Sequence, residues 1–315
     1  MTTSKTIQQI IDEWLDGLDV AAISKKSYRA KVYLWFRWLA GHGYDPRMPS
    51  HAAVIEYKRD LEADKSTLTI DGYMTAVRLF YKYCERAGYC ANIATGIRTA
   101  SRSKLYRKMP LTAEQAATLL GSIDTRRRQG RRDKLIIAMM ITLGLRTCEI
   151  ERIDICDIDR MFDKTVVRVQ RKGRTDKAEA IALTPYLCDL LADYMDDRDV
   201  QSTAEPLFIS TRSRQPMRLL RTSISEIVHD RLRAIGIDDK KITAHSLRHT
   251  CACLMIQGGA DLETVRDMLG HTSTNTTRIY ASWMQSMMLI RNTPSRLVEG
   301  ALNLTGRHER SRMTI

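Results

Sequence analysis

Four successive runs of apolar residues at three- and four-residue spacing fill the first 88 residues, and that period builds helices, not sheets. Thr6 to Leu18 places Ile7, Ile10, Ile11, Trp14 and Leu15 along one side. Ser24 to Gly41 does the same with Tyr28, Val32, Trp35, Trp38 and Leu39, interleaved with Lys25, Lys26, Arg29, Lys31 and Arg37. Pro46 and Pro49 break the pattern, and His51 to Ala63 and Thr67 to Gly88 then read as two further helices. In the last of these Ile70, Tyr73, Met74, Val77, Phe80 and Tyr81 share a face. An aromatic and methionine stripe at this spacing is most simply core packing. The expectation is an all-helical domain over residues 1–99.

Residues 100–110 read differently. The string ASRSKLYRKM holds Arg102, Lys104, Arg107 and Lys108, no acidic residue and little periodicity, and Pro110 follows. It is expected to be a basic interdomain linker that suits a phosphate backbone. A second domain is expected over 111–315, opening with Thr112 as N-cap and Gln115 three residues on. The run TRRRQGRRDK, with six basic residues between Arg126 and Lys134, reads as a solvated charged turn, contact with DNA being the sharper alternative. Lys134 to Leu143 is an apolar helix ending at Gly144. Thr165 to Gln170 alternates as a strand, RKGRTDK is turn-like and AEAIAL is extended again, so a β-hairpin is expected there. Pro185 to Asp196 is helical, Leu207 to Ser210 reads as a short strand, and most of the chain from Leu219 onward is helical. The fold class is thus mainly α with a small antiparallel β-sheet.

Fifty Lys and Arg against 37 Asp and Glu give a formal charge of +13, which points to a polyanionic partner, nucleic acid first. The longest apolar stretch, Leu135 to Leu145, contains Thr142 and Gly144 and is too short to span a bilayer. No basic-then-apolar leader opens the chain, so neither secretion nor a membrane partner is expected. Seven scattered cysteines read as reduced thiols of a cytoplasmic protein.

Four strings carry chemistry: LGLRTCEI with Arg146 and Glu149, QRKGRTDK with Lys172, AHSLRHT with His245, Arg248 and His249, and MLGHTSTNTTRIY with His271 and Tyr280. Cutting a phosphodiester without a metal needs fixed cations on the non-bridging oxygens, an acid beside the leaving oxygen and a nucleophile. Two arginines, a lysine, two histidines and a tyrosine supply those parts. Each alone has a plainer reading: a helix-end arginine, an exposed hairpin lysine, a packed tyrosine. His245, His249, Cys251 and Cys253 hint at zinc, but the one-residue gap between the cysteines does not match the usual ligand spacing, so no metal is expected. No Gly-x4-Gly-Lys-Ser/Thr loop is present either, and no cofactor is expected.

The ordered set of Arg, Lys in a hairpin turn, His-x-x-Arg, Gly-His and then Tyr nine residues on resembles the tyrosine recombinase or phage integrase family in its Xer-like form. The resemblance implies a helical, SAM-like core-binding N-terminal domain, a linker, and an α+β catalytic domain with a C-terminal assembly tail. It implies a site-specific recombinase or integrase that cleaves and religates double-stranded DNA through a 3′-phosphotyrosyl intermediate. Arg146 and Arg248 would hold the scissile phosphate, Lys172 protonate the leaving 5′-oxygen, and His245 act in acid–base transfer. His271 would bond the phosphate, Tyr280 attack, and Glu149 orient the site. A homo-tetramer on two recombination sites, nucleoid association and an accessory DNA-bending or directionality protein belong to the same expectation. The family often has Gly-Lys-Gly where this chain has Arg171 before Lys172, and the loop here is longer, which leaves Lys177 and Arg174 as rivals to Lys172. The tail from Ser282 to Ile290, with Trp283, Met284, Met287 and Met288, and the stripe Leu297, Val298, Ala301 and Leu302, would either join protomers or fold back on their own core. A type IB topoisomerase and a non-catalytic DNA-binding regulator are the competing readings.

Overall fold

The computed structural model describes residues 5–98, 109–196, 198–211, 217–270 and 295–302. The chain divides into two compact units, Met1–Lys104 and Leu105–Ile315. Arg102, Lys104, Arg107 and Lys108 lie outside the described residues.

The first unit holds α1 (Ile7–Asp16), α2 (Ala22–Gly41), α3 (His51–Asp64) and α4 (Thr67–Arg86). Hydroxyl side chains start three of them: Thr6 forms a capping box with Gln9, Ser50 accepts from the Ala53 amide, and Ser66 accepts from the Thr69 amide. The apolar faces meet in one core, where Trp14, Trp35, Leu39, Val54, Met74, Val77 and Phe80 are buried. Trp14 meets Phe80 edge-on at 5.4 Å, and Trp35 donates its indole N–H to the Tyr81 hydroxyl at 3.0 Å, so the buried indole keeps a partner. The aromatic and methionine stripes are therefore core.

The second unit opens with α5 (Ala113–Gly121), capped by the Thr112–Gln115 box. α6 (Arg128–Thr142) is its central helix, and every residue from Leu135 to Ile141 is buried. A helix apolar on all sides belongs in the middle of a core, and here α5, α8, α9 and α10 pack around it. After α7 (Thr147–Glu151) comes a three-stranded antiparallel sheet, β1 (Ile158–Met161), β2 (Lys164–Val169) and β3 (Glu179–Ala182), in the order β1-β2-β3. Val167 opposes Ile158 on one side and Ile181 on the other. Then follow α8 (Pro185–Asp196), α9 (Arg221–Ala234), α10 (Ala244–Gln257), α11 (Leu262–Leu269) and a short α12 (Ser295–Ala301). Among the described residues no helix is long and apolar enough to cross a membrane.

Three expectations need correction. The run 125–134 is not a charged turn: from Arg128 it forms the first turns of α6. Gly130 lies under the chain before it, where a Cβ would stand 1.7 Å from the Asp124 carbonyl oxygen. Arg132 is buried, bonded to Asp133 at 2.8 Å and to the Ile209 carbonyl at 2.9 Å, while Arg231 of α9 reaches the other Asp133 oxygen at 2.7 Å. One of the six basic residues of that run, Arg132, thus belongs to an internal ion cluster with Asp133. The hairpin, second, gains a third strand. β1 is half polar, and its turn uses Phe162 and Asp163 at φ +47° and +60° instead of the Asn-Gly or Asp-Gly pair that marks such turns in a sequence. Leu207 to Ser210, third, makes only an isolated bridge from Ile209 to Arg218.

The ion cluster yields a stability prediction. Asp133→Ala leaves Arg132 buried without its carboxylate, and should destabilise the second unit by about 3–5 kcal/mol. Urea denaturation followed by a probe in this unit measures it, and a loss within about 0.5 kcal/mol, as at an ordinary surface position, would contradict it.

Candidate active site

The site grows from the turn after α6. The helix ends at Thr142, and Gly144 reverses the chain at φ +65°. A Cβ there would come within 2.3 Å of Leu269 Cδ2, so glycine is demanded by conformation and by space. Arg146 follows as the N-cap of α7, which sets its side chain over Glu149 one turn on. The Arg146 amide donates to Glu149 Oε2 at 2.9 Å and its Nη1 to Oε1 at 2.7 Å.

Glu149 has no solvent exposure. Besides Arg146 it accepts from Arg171 Nη1 at 3.4 Å, and Arg248 Nη1 stands 3.8 Å away. Three guanidinium groups therefore gather on one carboxylate. Arg248, also fully buried, comes from α10 and donates Nη1 to the Gly144 carbonyl at 2.6 Å and Nη2 to the Leu269 carbonyl. It thus joins the Gly144 turn to the end of α11. His245, one turn earlier on α10, is exposed and packs its ring edge-on against His249 at 4.4 Å between centroids.

Lys172 sits at a tight turn. The Arg174 amide donates to the Arg171 carbonyl at 3.1 Å, and Gly173 takes φ +88°, the left-handed third position of a type II turn. Lys172 occupies the corner before it and is exposed. A cavity of about 680 Å³ is lined by Arg146, Lys172, His245 and Arg248 together. Four of the six residues expected to do chemistry thus share one hollow, although they come from three separate strings. The other two, His271 and Tyr280, lie outside the described residues.

The rivals to Lys172 are elsewhere. Lys177 bonds Asp154 at 2.6 Å and also bonds Asp157, and neither it nor Arg174 lines the cavity. Burial by itself lowers Lys177, but its two carboxylate bonds outweigh that and hold it above its ordinary value. Burial likewise raises Asp154, and the bonds from Lys177 and Arg218 overcome it, leaving the carboxyl below its ordinary value. Cys251 and Cys253 pack in an apolar cluster with Val265 and Leu269, where burial pushes each thiol up to about 12. Among the described residues no group of three or more His, Cys, Asp or Glu is arranged to hold a metal.

Two features escaped the sequence reading. One is α9, whose Arg221, Ser225 and His229 line the same cavity. Their i, i+4, i+8 spacing marks a polar helix face, which by itself says nothing of what it faces. The other is Arg171, visible only as a departure from a glycine, whose 4% exposure and bonds to Glu149 and Glu179 place it under the site.

Residues 110–286, more than half of the chain, match the phage integrase family. The tyrosine recombinase XerD of Xanthomonas axonopodis pv. citri is 28% identical over 288 residues, covering 88% of this chain and 92% of that protein. The crystal structure of XerH site-specific recombinase bound to a palindromic difH substrate, a post-cleavage complex, superposes with a TM-score of 0.72 at 20% identity, covering 91% of this chain and 84% of that one. A lambda integrase tetramer bound to a Holliday junction gives a TM-score of 0.68 at 14% identity, covering 89% and 78% of the two chains.

The Lys177 pair should be visible in stability against pH. Asp154, lowered when folded, contributes fully above its ordinary value of 3.8 and loses that contribution as pH falls through the lower folded value. Lys177, raised when folded, contributes fully below 10.5 and loses it as pH rises through the higher folded value. Lys177→Met should therefore melt below the unaltered chain at neutral pH, with a gap that closes at both extremes. A gap that is constant from acid to alkali would show that the pair contributes nothing.

Proposed function

The chain belongs to the phage integrase family, and we propose that it works as a site-specific tyrosine recombinase whose nucleophile is Tyr280. The observation that carries this reading is the single cavity shared by Arg146, Lys172, His245 and Arg248. Guanidinium groups stay charged at every physiological pH and present forked donors to phosphate oxygens, so Arg146 and Arg248 hold the two non-bridging oxygens as charge grows there. The Tyr280 oxygen attacks phosphorus and gives up its proton, with His245 serving the transfer. The bond from phosphorus to the 5′-oxygen breaks, and Lys172 protonates that oxygen as it leaves. His271 bonds the phosphate. The resulting 3′-phosphotyrosyl ester conserves the energy of the broken bond, so a 5′-hydroxyl from another strand reverses the chemistry without a nucleotide. The buried Glu149 lies beneath its arginines and orients them instead of reacting.

Recombination joins two sites, so one protomer is not enough. We take the lambda integrase tetramer on a Holliday junction as the pattern for this chain, and α12 supports that. Leu297, Val298 and Leu302 are 78%, 58% and 62% exposed, which supports a stripe open to a partner. A neighbouring protomer is the partner that would cover it. The Met-rich segment 282–290 lies outside the described residues.

Two experiments test this reading. Tyr280→Phe should retain DNA binding and form no covalent adduct on a nicked site in a denaturing gel, and the unaltered chain should form that adduct in excess EDTA. An adduct with the Phe variant would remove Tyr280 from its role, and strict magnesium dependence would remove the metal-free mechanism. Truncation after Arg291 should leave half-site binding intact and abolish cooperative assembly and recombination. A truncated chain that no longer binds any half-site would place the tail in its own fold.

A further inference from the structure

Arg171 neighbours Lys172 in the chain but is buried at 4% exposure, whereas Lys172 is exposed at the cavity. Its guanidinium reaches three partners from three elements. Nε donates to Glu179 Oε2 of β3, which closes the base of the hairpin loop. Nη1 donates to Glu149 Oε2 at 3.4 Å, and Nη2 to the Met268 carbonyl in the last turn of α11 at 2.7 Å. Gly270 then covers it: a Cβ there would meet Arg171 Nε at 2.5 Å, Cδ at 2.9 Å and Cζ at 3.0 Å. The guanidinium lies against bare backbone one residue before His271.

The loop between β2 and β3 has an internal shape, set by the Arg174-to-Arg171 turn bond and by Gln170 Nε2 donating to the Arg174 carbonyl at 2.7 Å. Those bonds do not fix where the loop stands relative to the arginines. Two side chains do so. Lys177 pins the far end to Asp154 and Asp157, and Arg171 pins the near end, beside Lys172, to Glu149. A lysine at that position would offer a point charge in place of a planar fork, and could not serve three partners in fixed directions.

We propose that Arg171 is a positioning residue for the general acid: it holds the Lys172 turn on Glu149, so that the acid and the phosphate-binding Arg146 share one anchor. This rests on the reading of Lys172 as the acid. Loss of the anchor displaces the lysine by ångströms, and a misplacement of that size costs on the order of 100-fold in rate. The loss should be specific to the proton-transfer step. A 5′-bridging sulfur leaves as a thiolate and needs little help from an acid, so it should hide the defect.

The experiment is single-turnover cleavage by the full chain of a duplex selected from random sequence for binding and cleavage by the unaltered protein. The duplex carries either oxygen or sulfur at the 5′-bridging position of the scissile phosphate. Arg171→Gln should slow the oxygen substrate about 100-fold and the sulfur substrate less than about 5-fold, the same contrast as Lys172→Ala. Equal slowing of both substrates would make Arg171 a general scaffold residue and overturn the proposal, as would no slowing of either. If Lys172→Ala shows no contrast, the assignment of the acid falls first and the proposal with it. If Lys172→Ala shows the contrast and Arg171→Gln does not, only the proposal falls. Should Arg171→Gln lose half-site binding, Arg171→Lys, which keeps a cation without the fork, is read by the same contrast and against the same two overturning results.

Discussion

Three guanidinium groups cannot converge without an anion between them. Two unit charges about 4 Å apart repel by about 4 kcal/mol at an effective dielectric of about 20, and more where water is excluded. Glu149, with no exposure, supplies the counter-charge for Arg146 and Arg171 and lies 3.8 Å from Arg248. The dependence is mutual, because a buried charge stripped of its partners is strongly destabilising. One buried acid thus holds a surplus of positive charge in place, and that surplus faces the cavity in which Arg146, Lys172, His245 and Arg248 meet.

The apolar scaffold delivers the pieces to that acid. α6 is buried around its whole circumference from Leu135 to Ile141, so its end is fixed in the core, and the Gly144 turn starts from a rigid point. Gly144 lies close against Leu269, and the carbonyls of both residues accept from Arg248. The backbone of two helix ends is therefore held by one side chain of a third helix. Gly270 completes the arrangement in the left-handed conformation that ends α11, lying flat on Arg171. Glycine at 144 and 270 is needed for close approach as well as for φ.

Charge alone does not distinguish the lysines of the hairpin loop; their partners do. Lys177 is held by two carboxylates and serves the loop's attachment, while Lys172 stands at the corner of a type II turn and reaches the cavity. The same division recurs in the basic run that leads into α6. Arg126 and Arg127 are exposed, but Arg132 is internal and bound to Asp133, which Arg231 also holds from α9.

Helical periodicity, hydroxyl caps and the ordered Arg, Lys, His-x-x-Arg, Gly-His and Tyr strings were legible in the residues, because each depends on neighbours within a few positions. Those local patterns placed the four helices of the first unit, the Thr112–Gln115 box, the β2–β3 hairpin and the turn that carries Lys172. They did not reveal β1, whose turn through Phe162 and Asp163 has no glycine to announce it. Nor did they reveal that Arg132 is buried, that Lys177 is spoken for, or that Arg171 supports the site from beneath. By itself the sequence determined most of the helices, the β2–β3 hairpin and which chemical groups the chain carries. Only the tertiary structure decided which charges face the cavity and which are consumed inside. Burial and pairing depend on residues far apart in the chain, as with Arg171 and the Met268 carbonyl, and no local pattern encodes that meeting.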